Sequence, residues 1–266
     1  MNWGKMKTLF IYLFVALNAV LLTFYVYTVQ KNKTEIVQEK EIIERSMKND
    51  NITVEENTTK RDNLGYVNVT ISDLKDYKKE ENGLKMEVEN VDKTSMLKVS
   101  SENAITNVNK GNYRAELESF LLEKMKLSAN YIFSSYNASK NEVIFEQQID
   151  SFRVFSNKNA RIVFSVESNG DIKNFTLTSV SNIRKDKNET LVPSSQAINR
   201  LYHEDLIPKN CRVRTTLGYY TYISQTENQV LIPTWNVEIS DKDGQVSNYY
   251  VDAINLNVLN RKGHNS

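Results

Sequence analysis

From Thr8 to Gln30 the chain carries no charged side chain. Nothing else in it constrains the fold so strongly. Twenty-three helical residues rise about 35 Å at roughly 1.5 Å each. A bilayer core is about 30 Å thick, so this stretch is long enough to cross one. Tyr12, Tyr25 and Tyr27 lie towards its ends, where amphipathic rings favour the headgroup region. A cleaved signal peptide would have an apolar region of roughly 7–15 residues and a small-residue cleavage pattern. This region is longer, and no Ala-x-Ala follows it. We therefore expect a retained single anchor. Lys5 and Lys7 precede the span while Lys31 and Lys33 follow it, so charge alone orients it weakly. A head at 1–7 before a long tail is expected inside, with the tail outside, because long tails translocate largely regardless of charge.

The span offers two faces. Asn18 is its central polar residue, and Phe14, Leu21 and Tyr25 flank it. The small residues Ala16, Ala19 and Thr23 form a second stripe, roughly 130° away at about 100° per residue. An amide in hydrocarbon needs a partner. A neighbouring helix can supply one, or local bonding can. Phe14, Ala16, Asn18, Ala19, Leu21 and Thr23 are the candidate helix-packing residues.

Beyond the span, 31–63 reads as a polar juxtamembrane stalk and linker, possible as a helical extension over its first part. Its second part is rich in Asn, Thr and Glu and nearly free of apolar residues. Strand-like alternation starts near Leu64, and Leu84, Met86 and Val88 alternate with Lys85, Glu87 and Glu89. Tyr113, Leu117, Phe120, Leu121 and Met125 share one helical face behind a candidate cap at Asn112. Strand runs follow to Val180, with Ser168-Asn169-Gly170-Asp171 as a hairpin turn. A second helix is expected after Ser194 or Ser195, with Ala197, Ile198, Leu201 and Tyr202 on one face and Pro208 as its end. Three more strand runs reach Leu259, the last hairpin turning at Asp243-Gly244. The expectation is α+β: two similar units, 64–188 and 189–259, each a helix packed on a curved antiparallel sheet, then a disordered tail at 260–266.

The chemistry is sparse. A net charge of +1 without long like-charge blocks argues against nucleic acid. One cysteine, Cys211, leaves no intramolecular disulfide, and as the first residue of a strand it reads as a small buried hydrophobe. The two histidines, His203 and His264, lack ligand-spaced neighbours, and no Gly-rich phosphate loop occurs. No catalytic residue, metal or cofactor is expected. Tyr219, Tyr220, Tyr222, Trp235, Tyr249 and Tyr250 lie on three expected neighbouring strands. Alternation sends about half of them away from the core. Tyr220, Tyr222, Trp235 and Tyr249 are therefore candidate contacts for a partner, glycan or peptide, the alternative being core packing.

Two end segments carry a family resemblance. Met1-Asn-Trp-x-Lys-x-Lys-Thr-Leu-Phe-Ile leads directly into the span. Pro233-x-Trp235-x-Val237, with Tyr249-Tyr-Val-Asp-Ala-Ile254, closes the second unit. In these features the chain resembles the YycI (WalI) family of Gram-positive bacteria. The resemblance implies a membrane-anchored, non-enzymatic accessory regulator of the sensor histidine kinase WalK (YycG), which controls cell-wall metabolism. It also implies association with a YycH-like protein in the bilayer, and an extracytoplasmic domain built like the C-terminal domains of YycH.

Overall fold

A computed structural model describes residues 3–55, 63–75, 83–91, 94–127, 130–221, 227–260 and 264–265. The chain divides into two compact units, Met1–Thr53 and Val54–Ser266. The first is a continuous helix, α1, from Trp3 to Asn49. The helix continues beyond the apolar stretch into the residues read from sequence as a stalk. It ends where Asn51 turns left-handed at φ 56°, a conformation that asparagine tolerates better than most residues. The Ile52 N–H then closes onto the Met47 carbonyl at 2.9 Å.

The second unit is mixed α+β and dominated by sheet. In chain order its strands begin with Thr53–Val54 (β1), Asn63–Leu64 (β2), Val67–Ile71 (β3), Leu84–Val91 (β4), Thr94–Ser101 (β5) and Thr106–Asn107 (β6). Helix α2 (Tyr113–Phe120) follows, continued by a π turn at Leu121–Met125. Next come Asn130–Asn137 (β7), Glu142–Ile149 (β8), Phe152–Val154 (β9), Arg161–Val166 (β10), Asp171–Leu177 (β11), Val180–Lys185 (β12) and Glu189–Thr190 (β13). Helix α3 (Ser194–His203) precedes Arg212–Tyr220 (β14), Asn228–Ser240 (β15), Val246–Asp252 (β16) and His264–Asn265 (β17).

The main sheet runs β12-β3-β15-β14-β9-β8-β10-β11-β5-β4, with β16 beside β15 and β7 beside β8. This order cuts across the expected division at 188/189. β3 and β12, assigned by sequence to the first unit, pair in succession onto β15. The cause is the length of β15. Its residues from Ile232 onward are matched by β14, and Asn228–Leu231 instead take Thr70 to Val67 of β3 as partners. Val67 and Val69 are buried there. The two halves of the sheet meet at a short parallel junction, Gly218 against Arg153 and Tyr219 against Val154. A side chain on Gly218 would sit 2.5 Å from the Arg153 carbonyl oxygen and 2.4 Å from the Phe155 ring, so only glycine fits.

Helix α2 covers the largest apolar cluster. Leu117, Leu121 and Met125 are buried against Phe145, Phe164 and Phe175. Edge-to-face pairs hold the rings, with Phe120–Phe175 at 5.9 Å and Phe145–Phe164 at 5.6 Å. Asn112 takes the N-cap position but makes no capping bond; its amide donates to Glu116 Oε1 at 2.8 Å instead. Helix α3 starts at Ser194 behind Pro193 and buries Ala197, Ile198 and Leu201. It stops at His203, earlier than Pro208 implied, because Asp205 turns left-handed at φ 55°. Both expected hairpin glycines, Gly170 (φ 90°) and Gly244 (φ 81°), adopt the backbone that favours glycine. In place of disorder throughout the tail, β17 pairs with Ser247 and Asn248 on the outer edge of β16, whose backbone groups are available there.

Candidate functional site

Two places on the molecule have functional potential, the apolar helix and a polar cleft in the second unit. The apolar stretch of α1 extends over Met6–Thr28. Phe14, Ala16, Asn18, Ala19, Leu21 and Thr23 are all exposed along it. The Asn18 amide donates to the Phe14 carbonyl at 2.8 Å, and the Thr23 hydroxyl donates to the Ala19 carbonyl. Thr28 repeats the pattern onto Phe24 at 2.9 Å. These bonds back onto the preceding turn are the usual way a helix satisfies such side chains. An amide has two N–H groups and a carbonyl, and the bond to Phe14 uses one N–H. The polar face at Asn18 therefore retains hydrogen-bonding capacity.

The six aromatics do not form one exposed patch. Trp235 is 3% exposed, and its indole N–H donates to the Val192 carbonyl at 2.8 Å. That corrects its assignment as a surface contact. It points to the same side of β15 as the buried Val237 and Ile239, as the period-two geometry requires. Tyr219 is likewise buried, edge-on to Phe152 at 6.2 Å. Tyr220 is half-buried and stacks on Tyr250 at 4.6 Å; Tyr250 stacks in turn on Phe155 at 5.6 Å. Tyr249 is half-buried and faces Val237 across the strand pair. Tyr222 lies outside the described residues.

The Tyr250–Phe155 stack forms part of the wall of a cleft of about 270 Å³. Ser134 and Ser135 of β7, Glu146 of β8, Arg153 of β9 and Arg161 of β10 line one flank, with Lys140 from the β7–β8 turn. Asn236 and Glu238 of β15 and Asn248 of β16 line the other. Alternation puts them there. Phe145 and Trp235 point into apolar cores, so their neighbours Glu146 and Asn236 face the opposite way.

Glu146 is 7% exposed yet well partnered. Its Oε1 accepts the Ser156 N–H at 2.7 Å, and its Oε2 accepts the Ser134 hydroxyl at 3.1 Å. The Arg153 Nε lies 3.7 Å from Oε2, and an Arg153 Nη donates to the Phe133 carbonyl at 3.0 Å. Burial raises the Glu146 carboxyl above the usual range. The Arg153 charge and the two hydrogen bonds pull against that rise. Ser156, left-handed at φ 49°, shares a 2.8 Å hydroxyl contact with Tyr250. Burial also raises the Tyr250 phenol. Asn236 donates to Asn248 Oδ1 at 3.0 Å, while its own Oδ1 is buried without a hydrogen-bond partner.

Sequence reasoning passed over this cleft. Its clearest signal is the carboxylate of Glu146 directly after the apolar run Val143-Ile144-Phe145, where burial tolerates only a partnered charge. The Arg that partners it comes from another strand. Cys211 lies just before β14 rather than in it, but is buried as expected, and burial raises its thiol.

No curated protein matches this chain. Among solved structures it is similar to an uncharacterized protein from Eubacterium rectale, at 10% identity over 79% of this chain and 90% of that one, with a TM-score of 0.46. It is also similar to the C-terminal domain of Bacillus megaterium YpeB, at 13% identity over 86% of this chain and 96% of that one, with a TM-score of 0.41. The family model described as YycI protein matches residues 30–254. That range takes in most of the 266 residues, and the chain belongs to the YycI family.

Proposed function

We propose that this protein is a non-enzymatic accessory regulator that modulates the membrane sensor histidine kinase WalK in association with a YycH-like partner. Membership of the YycI family carries this reading. The 23-residue apolar stretch of α1 supports a single-pass location in the cell membrane. In our reading the N-terminus is cytoplasmic and the second unit extracellular.

The two faces of the span divide the work. Phe14, Asn18 and Leu21 pack on one partner helix; Ala16, Ala19 and Thr23 pack on the other. Small residues let backbones approach closely, and an amide can bond across to a neighbour. Regulation then reduces to a coupling free energy between the packing of these helices and the state of the kinase, typically about 1–3 kcal/mol in such systems. Tyr220 and Tyr249 are secondary contacts on the extracellular side.

The test is Asn18→Leu and Ala16→Leu, read by membrane two-hybrid pairing with the kinase and the YycH-like protein, and by kinase output. Each substitution is expected to weaken one pairing and leave the other. Unchanged pairing and output for both would refute the two-face arrangement.

A further inference from the structure

We infer that the cleft between β7–β10 and β15–β16 is a binding site for a small zwitterion, an amino acid or dipeptide that presents a carboxylate and an amine. The role lies beyond kinase regulation through the span and does not depend on it.

The first observation is the orphan acceptor. Asn236 is 9% exposed, and its Oδ1 is buried with no hydrogen-bond partner. Its amide gives one N–H to Asn248, and Asn236 is among the residues that line the cleft. A buried polar atom without a partner costs roughly 1–3 kcal/mol. Such an atom in a cleft wall marks a place for an incoming N–H donor.

The second observation is the division of charge. Arg161 and Lys140 line the β7–β10 flank beside Arg153, and Glu146 offsets part of the charge of both arginines. The β15 flank carries acceptors, Asn236 Oδ1 and Glu238. Arg214 approaches Glu238 only to 3.9 Å, leaving its carboxylate able to take a second cation. A net positive flank facing one that carries Glu238 fits a molecule with an anionic and a cationic end. Guanidinium groups suit a carboxylate because they offer paired donors.

The third observation is size. At about 30 Å³ per water, 270 Å³ holds roughly nine waters, or about as many non-hydrogen atoms as a dipeptide of small residues. The Tyr250–Phe155 stack gives the ligand's short side chains an apolar wall.

The experiment uses the full-length protein in detergent micelles, titrated with alanine and with alanyl-alanine by calorimetry. N-acetyl-alanine, which lacks the ammonium, and alaninamide, which lacks the carboxylate, are the controls. The expected result is saturable binding of alanine or alanyl-alanine, at least tenfold weaker for either blocked form. Arg161→Gln and Asn236→Leu should each weaken it at least tenfold. Asn236→Leu removes the orphan carbonyl together with the N–H given to Asn248, so it should bind poorly while circular dichroism shows the fold retained. Arg161→Lys, which keeps the charge, should restore part of the affinity lost in Arg161→Gln. No saturable binding of either zwitterion at millimolar concentration would overturn the proposal. Equal binding of the blocked forms, or wild-type affinity in both variants, would overturn it as well.

Discussion

Gly218→Ala tests how the two halves of the sheet are joined. The parallel junction has two residue pairs, and the Phe155 N–H donates to the Tyr219 carbonyl at 2.8 Å just beyond them. An added methyl would lie 2.5 Å from the Arg153 carbonyl oxygen, and 2.4 and 2.6 Å from two carbons of the Phe155 ring. Ordinary contacts are about 3.5–4.0 Å, so β9 and β14 must part by roughly 1 Å. The ring can turn, but the carbonyl belongs to the backbone and moves only with its strand. Overpacking of this kind costs typically about 1–3 kcal/mol. A weakened junction hydrogen bond adds about 0.5–1.5 kcal/mol. We expect a loss of about 3 kcal/mol, which for a domain of this size lowers Tm by roughly 6–12 °C. Thermal unfolding of the full-length protein in detergent, followed by circular dichroism, measures it. Adding Phe155→Leu should recover only part of the loss, because the clash with the carbonyl remains. A fall of less than about 2 °C would refute the reasoning. Full recovery in the double variant would show that the ring, rather than the backbone, is the obstacle.

Two further expectations concern conformation and charge. Lys126 is exposed and left-handed (φ 45°, ψ 47°) where the π turn ends. Lys126→Gly should therefore raise stability by about 0.5–1 kcal/mol, the strain relieved less the glycine's greater freedom when unfolded; a lowered Tm would contradict this. Glu146 has a folded pKa above its unfolded value of about 4.3. The unfolded chain then releases its proton first. Stability is highest below the unfolded pKa, falls as pH rises through the window up to the folded pKa, and is level above it. Glu146→Gln keeps an acceptor for the Ser156 N–H and removes that slope. Its Tm relative to wild type should climb as pH rises above the unfolded value of about 4.3; parallel melting curves for the two proteins would refute the assignment.

The elements were legible where local signals are strong. The apolar helix over Met6–Thr28 needs only length and composition to be recognised. Helix α2 follows from the spacing of Leu117, Leu121 and Met125, and the hairpins follow from Gly170 and Gly244. The assembly of these elements was not legible. Nothing near Val67–Ile71 says that its partner is Asn228–Leu231, far along the chain, since alternation fixes which face is buried but not which strand lies beside it. The premature end of α3 was hidden for a related reason. Pro208 is a visible breaker, whereas the left-handed turn at Asp205 is a choice that only tertiary packing makes.

The same limit explains why the aromatics drew attention and the cleft did not. Tyr219, Tyr220 and Trp235 are conspicuous in sequence, but a sheet hides every second side chain, and Trp235 fell on the hidden side with Val237. Asn236, between them, faces the cleft. Glu146 bears the corresponding relation to Phe145. In both strands the buried aromatic fixes the register of the core, and that register turns its polar neighbour to the other face. The polar wall is thus a by-product of the apolar packing. A substitution that slipped β15 by one residue would lose the Trp235 anchor and the Asn236 acceptor together, so the cleft cannot be separated from the core that aims it.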